Sequence, residues 1–465
     1  MTVDDETPGT AASTSALWSP QRRSFTLGLI LVITLAAFEA MGIGTALPTI
    51  VREWDAEQWY SWPFTIFMAA SAIGTVVAGR ISDRRGPAVP LLAAMPTFAA
   101  GLVLAGIAPG MTALLVARAL QGLGAGAQIV ALYVLIARVY PERDRPAAFG
   151  ALSAAWVVPA LVGPLIAGAL TEHVGWRWVF LGLAPLMVVG ALLLVPSVRR
   201  LGAGGGSDGP ASPRLPLAAL GAAGGAVGLN WGAQQVSGSG SVTWPVLLAG
   251  AAGLLLLVPS LRVLLPRGTG TARPGIPAMV FSRGLLAGVF FAAQAFVPLT
   301  LSVVHGYSPT AAGIPLTVGS LGWSVGALWQ SRRPEVRREL VVTAALVLVA
   351  VAVAGLVLIA PARGPAWVVF LLWSIGGAGM GIGIASTSVR VLSLSEPGQR
   401  GFHSSALQIS DMLGQALLVG LGGVVVAALA GPGSPTRGVV VLNLVLAAMA
   451  LLGALRVHRS GRAGG

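Results

Sequence analysis

Apolar runs of about 20 residues recur along the whole chain, and no other feature restricts the fold as strongly. In helical form such a run matches the hydrocarbon thickness of a bilayer. Only 10% of the 465 residues are charged and 55% are hydrophobic, with a mean hydropathy of +0.82. Soluble domains carry about 25% charged residues, so a large water-soluble core is a poor reading. The chain reads as an all-α polytopic membrane protein.

Taken in order, residues 1–24 form a polar tail expected on the cytoplasmic side, with no cleavage site after the first apolar run. Six spans follow at 25–50, 59–78, 88–108, 111–139, 146–170 and 177–197, and Trp59, Tyr60 and Trp62 read as an interfacial aromatic belt. A Gly-, Ser- and Pro-rich linker (198–214) leads to two further spans at 215–235 and 242–265. After a second linker (266–279), six more fit at 280–304, 308–330, 340–360, 365–394, 399–429 and 438–456, before a tail at 457–465. The count is six, two, six.

Arginine placement supports this count. The formal charge of +13 comes from 29 arginines, with no lysine. If the amino terminus is inside, Arg22, Arg23, Arg80, Arg84, Arg85, Arg138, Arg143, Arg145, Arg199, Arg200 and Arg214 are cytoplasmic. So are Arg262, Arg267, Arg273, Arg283, Arg332, Arg333, Arg337, Arg338, Arg390, Arg400, Arg456, Arg459 and Arg462. Only Arg52, Arg177, Arg363 and Arg437 fall outside, the bias expected of short inside loops. Fourteen helices with both termini cytoplasmic follow. These arginines lack aromatic interleaving, so nucleic acid is not an expected partner. Without lysine there is no P-loop and no Schiff-base chemistry. Without cysteine there is no disulfide, thiol nucleophile or Cys-type zinc site. His173, His305, His403 and His458 show no metal-ligand spacing and read as surface. No cofactor is expected.

Four stretches carry chemistry. Gly79-Arg80-Ile81-Ser82-Asp83-Arg84-Arg85-Gly86 connects the second and third spans, with glycines for tight turning and Asp83 at the inner face. The dipole of span 13, entering near Pro397-Gly398, could attract that carboxylate. A worn copy, Gly326 to Arg333, lies between spans 10 and 11 and marks an internal repeat. In span 4, Arg118, Gln121 and Gly122 share one face, and a buried arginine usually faces a cavity or an acid. Span 5 is bent by Pro159, Gly163, Pro164 and Gly168. Span 1 holds Glu39 near its middle, where low dielectric suits a carboxyl to proton exchange.

Span 13 carries the other mid-membrane acid, Asp411, on a stripe with Ser404, Gln408 and Gln415. That stripe faces either a cavity or another helix. Gln128, Gln294, Trp323, Trp373, Phe290 and Phe291 are further candidates to line an aromatic pocket. Trp176-Arg177-Trp178 reads as an interfacial anchor.

The Gly79–Gly86 pattern, G-x-x-x-D-R-x-G, resembles the signature loop of the major facilitator superfamily. The run from Arg118 through Gly126 resembles the fourth-span motif that this superfamily uses in proton coupling. The Gly163-Pro164 core with Gly168 is similar to the motif of its drug–proton antiporters, with Pro159 and Ala167 departing from it. The fourteen-span antiporters commonly have an acid nine residues before the proline of an Ala-Leu-Pro, as Glu39 stands to Pro48 of Ala46-Leu47-Pro48, although the usual residue is aspartate. The resemblance implies two six-helix halves plus two extra helices in a multi-pass protein of the cell membrane. It implies a monomer that exchanges protons for lipophilic small molecules or drugs, cationic ones included. Glu39, Arg118 and Asp411 would couple protons. Gln121, Gln128, Gln294, Trp323, Gln408 and Gln415 would line the substrate cavity. Gly79, Asp83, Arg84, Gly86, Pro159, Gly163, Pro164 and Gly168 would gate it. Export of a lipid or self-made metabolite, a membrane enzyme and a non-transporting receptor remain as rival expectations.

Overall fold

A computed structural model describes residues 17–463 apart from 21, 142–143, 201–213, 240–242, 334–335, 397–398 and 431–433. Residues 1–16 of the amino-terminal tail, most of the first linker, Arg143 and the Pro397-Gly398 start of span 13 lie outside the described residues.

The chain is a series of helices. The first seven are α1 (Arg23–Glu53), α2 (Trp62–Arg85), α3 (Ala88–Gly106), α4 (Met111–Val139), α5 (Arg145–His173), α6 (Trp178–Leu181) and α7 (Leu183–Arg200). Next come α8 (Arg214–Ser239) and α9 (Trp244–Leu264). Then follow α10 (Ile276–Val303), α11 (Pro309–Ser331), α12 (Arg338–Gly355), α13 (Val368–Leu394), α14 (Arg400–Leu429) and α15 (Thr436–Ala463). Helices α6 and α7 make one rod broken at Gly182. Among the described residues, thirteen rods are long and apolar enough to cross a membrane. The fourteenth expected span is α8, which has 26 residues but turns polar Asn230 and Gln234 onto its neighbours. Proline opens α2, α9, α10 and α11, where its missing N–H costs nothing, and Ser308 caps α11 by accepting from the Ala311 N–H at 3.3 Å.

The connections at Gly79 and Gly326 are shorter than expected. Residues 79–85 continue α2, and only Gly86, at φ 80°, turns the chain. Residues 326–331 likewise belong to α11. Polar residues at the end of a membrane helix need not end it; a conformational breaker does, and here that is Gly86-Pro87.

Helices α1–α7 pack as one group and α10–α15 as another. Each contains a pair of helices in backbone contact. In the first, a Cβ on Gly122 or Gly126 of α4 would strike the Phe67 or Ser71 carbonyl of α2. In the second, a Cβ on Gly377 or Gly381 of α13 would strike the Gly319 or Trp323 carbonyl of α11. The internal repeat is thus clearer in this glycine packing than in the worn loop motif. The groups meet along two seams, α2 against α14 and α5 against α11. Helix α8 lies on the first seam, sharing a small apolar cluster of Ala72, Ala218, Ala222, Ile409 and Leu413, and α9 packs behind it.

Long-range bonds fix which helix ends share a face. Arg22 pairs with Asp144 at 3.3 Å and Arg390 with Glu339 at 2.7 Å, and Ser460 donates to the Ala272 carbonyl at 2.8 Å. At the same end Thr26 and Tyr140 share a hydrogen bond of 2.6 Å, and burial pushes the Tyr140 hydroxyl pKa up. This is the arginine-rich end. At the other end Arg177 pairs with Glu53 at 3.0 Å, and Thr436 donates to the Ala360 carbonyl at 3.0 Å.

Candidate functional site

Arg118 and Glu39 form a salt bridge, with side chains 1% and 0% exposed. Arg118 also donates to Gln121 Oε1 at 2.6 Å and to the Pro63 carbonyl at 3.2 Å, and its guanidinium lies 4.3 Å from the centre of the Phe67 ring. One arginine thereby joins α1, α2 and its own α4. Glu39 Oε2 is buried with no hydrogen-bond partner among the described residues. An ion pair removed from water persists only when other hydrogen bonds compensate, and these contacts do so for Arg118 more fully than for Glu39.

Between the two groups lies a cavity of about 640 Å³. Helices α1, α2, α4 and α5 form one wall and α10, α11 and α14 the other. Phe67 belongs to the first wall, so its ring separates the cavity from Arg118. Phe290, Phe291 and Trp323 form a ring cluster on the second wall, with centroids 5.5–6.3 Å apart.

A second ion pair faces this space directly. Arg283 Nε donates to Asp411 Oδ2 at 3.0 Å, with side chains 10% and 15% exposed. Arg283 Nη1 is anchored on α13 by the Ile384 carbonyl and Ser388 Oγ, each at 3.1 Å, and Gln415 Nε2 donates to Asp411 Oδ1 at 2.7 Å. The arginine bias places Arg283 at the cytoplasmic start of the span 280–304. It lies seven residues inside α10, within Val280-Phe281-Ser282-Arg283-Gly284, and that depth was the available signal. Tyr133, Trp156, Phe67 and Ser71 also line the cavity and carried no recognisable motif.

Of the expected cavity residues, Gln294, Trp323, Gln408 and Gln415 line it. Gln121 and Gln128 do not. Both are fully buried, Gln121 against Gly101 of α3 and Gln128 bonded to the Ala94 carbonyl at 3.3 Å. Helical spacing explains the correction, since the cavity face of α4 is Ala125, Ile129 and Tyr133, and the glutamines point to α3. Trp373 is buried behind the cavity and stacked on Phe290 at 4.7 Å. His403 is buried and bonded to Ser395 Oγ at 2.8 Å, not on the surface, and His305 is half-buried against the Ile359 carbonyl. No group of metal-ligating side chains occurs among the described residues.

At the end opposite the arginines the two groups touch closely. A Cβ on Gly168 would stand 2.6 Å from the Pro309 carbonyl, and one on Gly313 would stand 2.6 Å from the Pro164 carbonyl. Glu172 accepts from Thr310 Oγ1 at 2.6 Å. Tyr60 is buried and donates to the Ala295 carbonyl at 2.6 Å, and Trp62 is buried beside it, so neither forms an interfacial belt. Pro159 and Gly163 are buried, Gly163 against α1 with Met41 Cβ at 3.5 Å from its Cβ position. At the arginine-rich end the cavity reaches Tyr133, Leu152, Arg283 and Ala327. There Asp83 and Arg84 are exposed, Gly79 sits near Val130, and Asp83 has no partner among the described residues.

Comparison with known proteins gives a consistent result. The model of the Major Facilitator Superfamily matches residues 29–389. An uncharacterized MFS-type transporter of Mycobacterium tuberculosis is 34% identical over 327 residues, covering 67% of this chain and 46% of that protein. The chain therefore spans about half the length of that relative. A probable multidrug-efflux transporter of the same species is 25% identical over 457 residues, covering 90% of each. Among solved structures, a bacterial homologue of the human lysosomal transporter Spinster, inward-facing and unoccupied, has a TM-score of 0.68 at 17% identity, covering 96% of this chain and 98% of that one. A POT family transporter bound to 5-aminolevulinic acid has a TM-score of 0.66 at 14% identity, covering 94% and 96%. At such identities these two structures speak to the fold alone.

Proposed function

The chain belongs to the major facilitator superfamily, and from that premise we propose that it is a cell-membrane transporter exporting lipophilic small molecules or drugs, cationic ones included, in exchange for protons. One observation carries this reading. A buried acid–arginine pair, Glu39 with Arg118, lies one aromatic ring away from a cavity of about 640 Å³ between two helix groups. That volume falls within the range of about 300–1,000 Å³ usual for small-molecule sites. The bare Oε2 of Glu39 offers a place for a proton, and Arg118 favours the ionised acid whenever the two are in contact. Asp411, already within the cavity wall, serves as a second acid on the path.

Alternating access then follows from the seams. Closure at Gly168, Gly313 and Glu172, with the cavity reaching toward the arginine-rich end, supports an inward-facing state if those arginines lie in the cytoplasm. Rocking one group against the other would open the closed end and bring Asp83 toward α14. The chain works alone and needs no cofactor in this scheme. A multidrug-efflux relative is consistent with the proposed cargo.

Proteoliposomes test it. With an imposed proton gradient, purified wild type is expected to accumulate a fluorescent lipophilic amine, and folded Glu39→Gln to lose gradient-driven uptake while retaining exchange. Uptake that survives Glu39→Gln but is lost in Asp411→Asn moves the proton to the second pair. A folded wild type that moves no member of a broad dye panel refutes the multidrug reading.

A further inference from the structure

The two walls of the cavity differ in chemistry. Among the described residues of the first, Ser71 and Tyr133 are the only hydroxyl or amide side chains, and no charged one is present. The second carries every charge and every amide that the described lining presents, namely Arg283, Asp411, Gln294, Gln408 and Gln415. Among the described residues, the one ion pair of the first group near this space is sealed behind Phe67.

The charges on the second wall also cancel. Arg283 and Asp411 contribute one of each sign and are bonded to each other, so a permanent cation gains little there. To reach Asp411 it must approach a guanidinium that two contacts on α13 hold in place. Unused capacity exists on both partners. Arg283 Nη2 has no hydrogen bond to a described residue, and each Asp411 oxygen accepts only one. Gln294 and Gln408 likewise make no hydrogen bond to a described residue, and both face the cavity.

From this asymmetry, and resting on the transport reading above, we infer that the preferred cargo is a zwitterionic amphiphile. Its anionic group engages Arg283 Nη2, its cationic group lies beside Asp411 and the free amides, and its apolar face packs on the first wall. A monocation can complete only half of this arrangement and leaves Arg283 Nη2 without the anionic partner. Loss of one charged hydrogen bond in a shielded site corresponds to about tenfold in affinity or more.

The test uses one scaffold in two charge states. Rhodamine B is a zwitterion at neutral pH, and its methyl ester is a cation of nearly the same shape. Equilibrium binding to purified protein in an uncharged maltoside detergent, without any proton gradient, is expected to favour the zwitterion by about tenfold. In Arg283→Gln the preference should invert toward the ester, because Asp411 then stands alone. Equal affinities, a preference for the ester, or no binding of the zwitterion by wild type overturns the inference without recourse to any variant. A charge preference unchanged in folded Arg283→Gln overturns the assignment of the anionic arm to that residue. Because no flux is measured, failure of antiport and failure of this charge preference remain distinguishable.

Discussion

Removing either partner of the Glu39–Arg118 pair should destabilise the protein, but with opposite pH behaviour. Both side chains are sealed from solvent, so screening provides no relief. Breaking a buried pair costs about 3–5 kcal/mol, much of it from the charge left behind. In Glu39→Gln the guanidinium stays charged between pH 5 and 7, while the amide oxygen, Gln121 and the Pro63 carbonyl still accept from it. The loss should lie near the low end, about 3 kcal/mol, and should not vary with pH. Arg118→Met strands the carboxylate instead, and a carboxylate can discharge by binding a proton. Holding that proton at pH 7, against a reference near 4.3, costs about 3.7 kcal/mol, and at pH 5 only about 1 kcal/mol. Between those values the folded variant binds one proton more than the unfolded chain. Its stability therefore rises as pH falls, by about 1.4 kcal/mol per unit, and levels off below the unfolded carboxyl's range. Unfolding followed by tryptophan fluorescence, read as each variant's difference from wild type at the same pH, checks this. The reasoning is refuted if Arg118→Met is flat between pH 5 and 7, or if Glu39→Gln carries the slope.

Two further outcomes concern the closed end, and the absence of native cysteine makes both accessible. Glu172→Cys with Thr310→Cys, joined by a short thiol cross-linker, should hold the α5–α11 seam shut and abolish transport, with recovery on cleaving the linker; full transport by the cross-linked protein excludes that seam as a moving part. Asn230→Leu should leave stability within about 1 kcal/mol of wild type, since it removes one hydrogen bond and one unsatisfied acceptor together, yet should speed labelling of a cysteine at Ser61; unchanged labelling denies α8 any hold on that seam.

Apolar periodicity and arginine bias made the helices legible because bilayer thickness and short-loop charge act on every span independently. The buried pair was legible in part. Glu39 and Arg118 each sit where a charge is costly, but nothing in the sequence showed that they meet across 79 positions. Arg283 reads as a cytoplasmic charge at the start of its span because a boundary uncertain by a few residues decides whether an arginine near it is topological or buried. The glutamines of α4 show a different limit. A polar stripe read from spacing has a face, and only packing against α3 revealed that Gln121 and Gln128 point away from the cavity.

The two seams are built differently, and that difference gives the extra helices a place in the mechanism. Along α5 and α11 the contact is backbone on backbone, with Gly168 and Gly313 admitting the facing carbonyls, so these helices can slide or part with little side-chain rearrangement. Along α2 and α14 the Ala416 carbonyl accepts from Thr65 of α2 at 3.4 Å and from Asn230 of α8 at 3.2 Å. One turn further on, Gln234 of α8 accepts from Trp62 Nε1 at the start of α2 and donates to the Gln58 carbonyl, in the turn just before α2, at 2.9 Å. Helix α8 is thus bonded to both groups at the end that must open. It cannot follow both when they separate, so either the Ala416 bond or the Trp62–Gln58 bonds must break. The Asn230 Oδ1, buried with no partner among the described residues, makes its side the weaker attachment, and α8 with α9 should travel with α2 and leave α14.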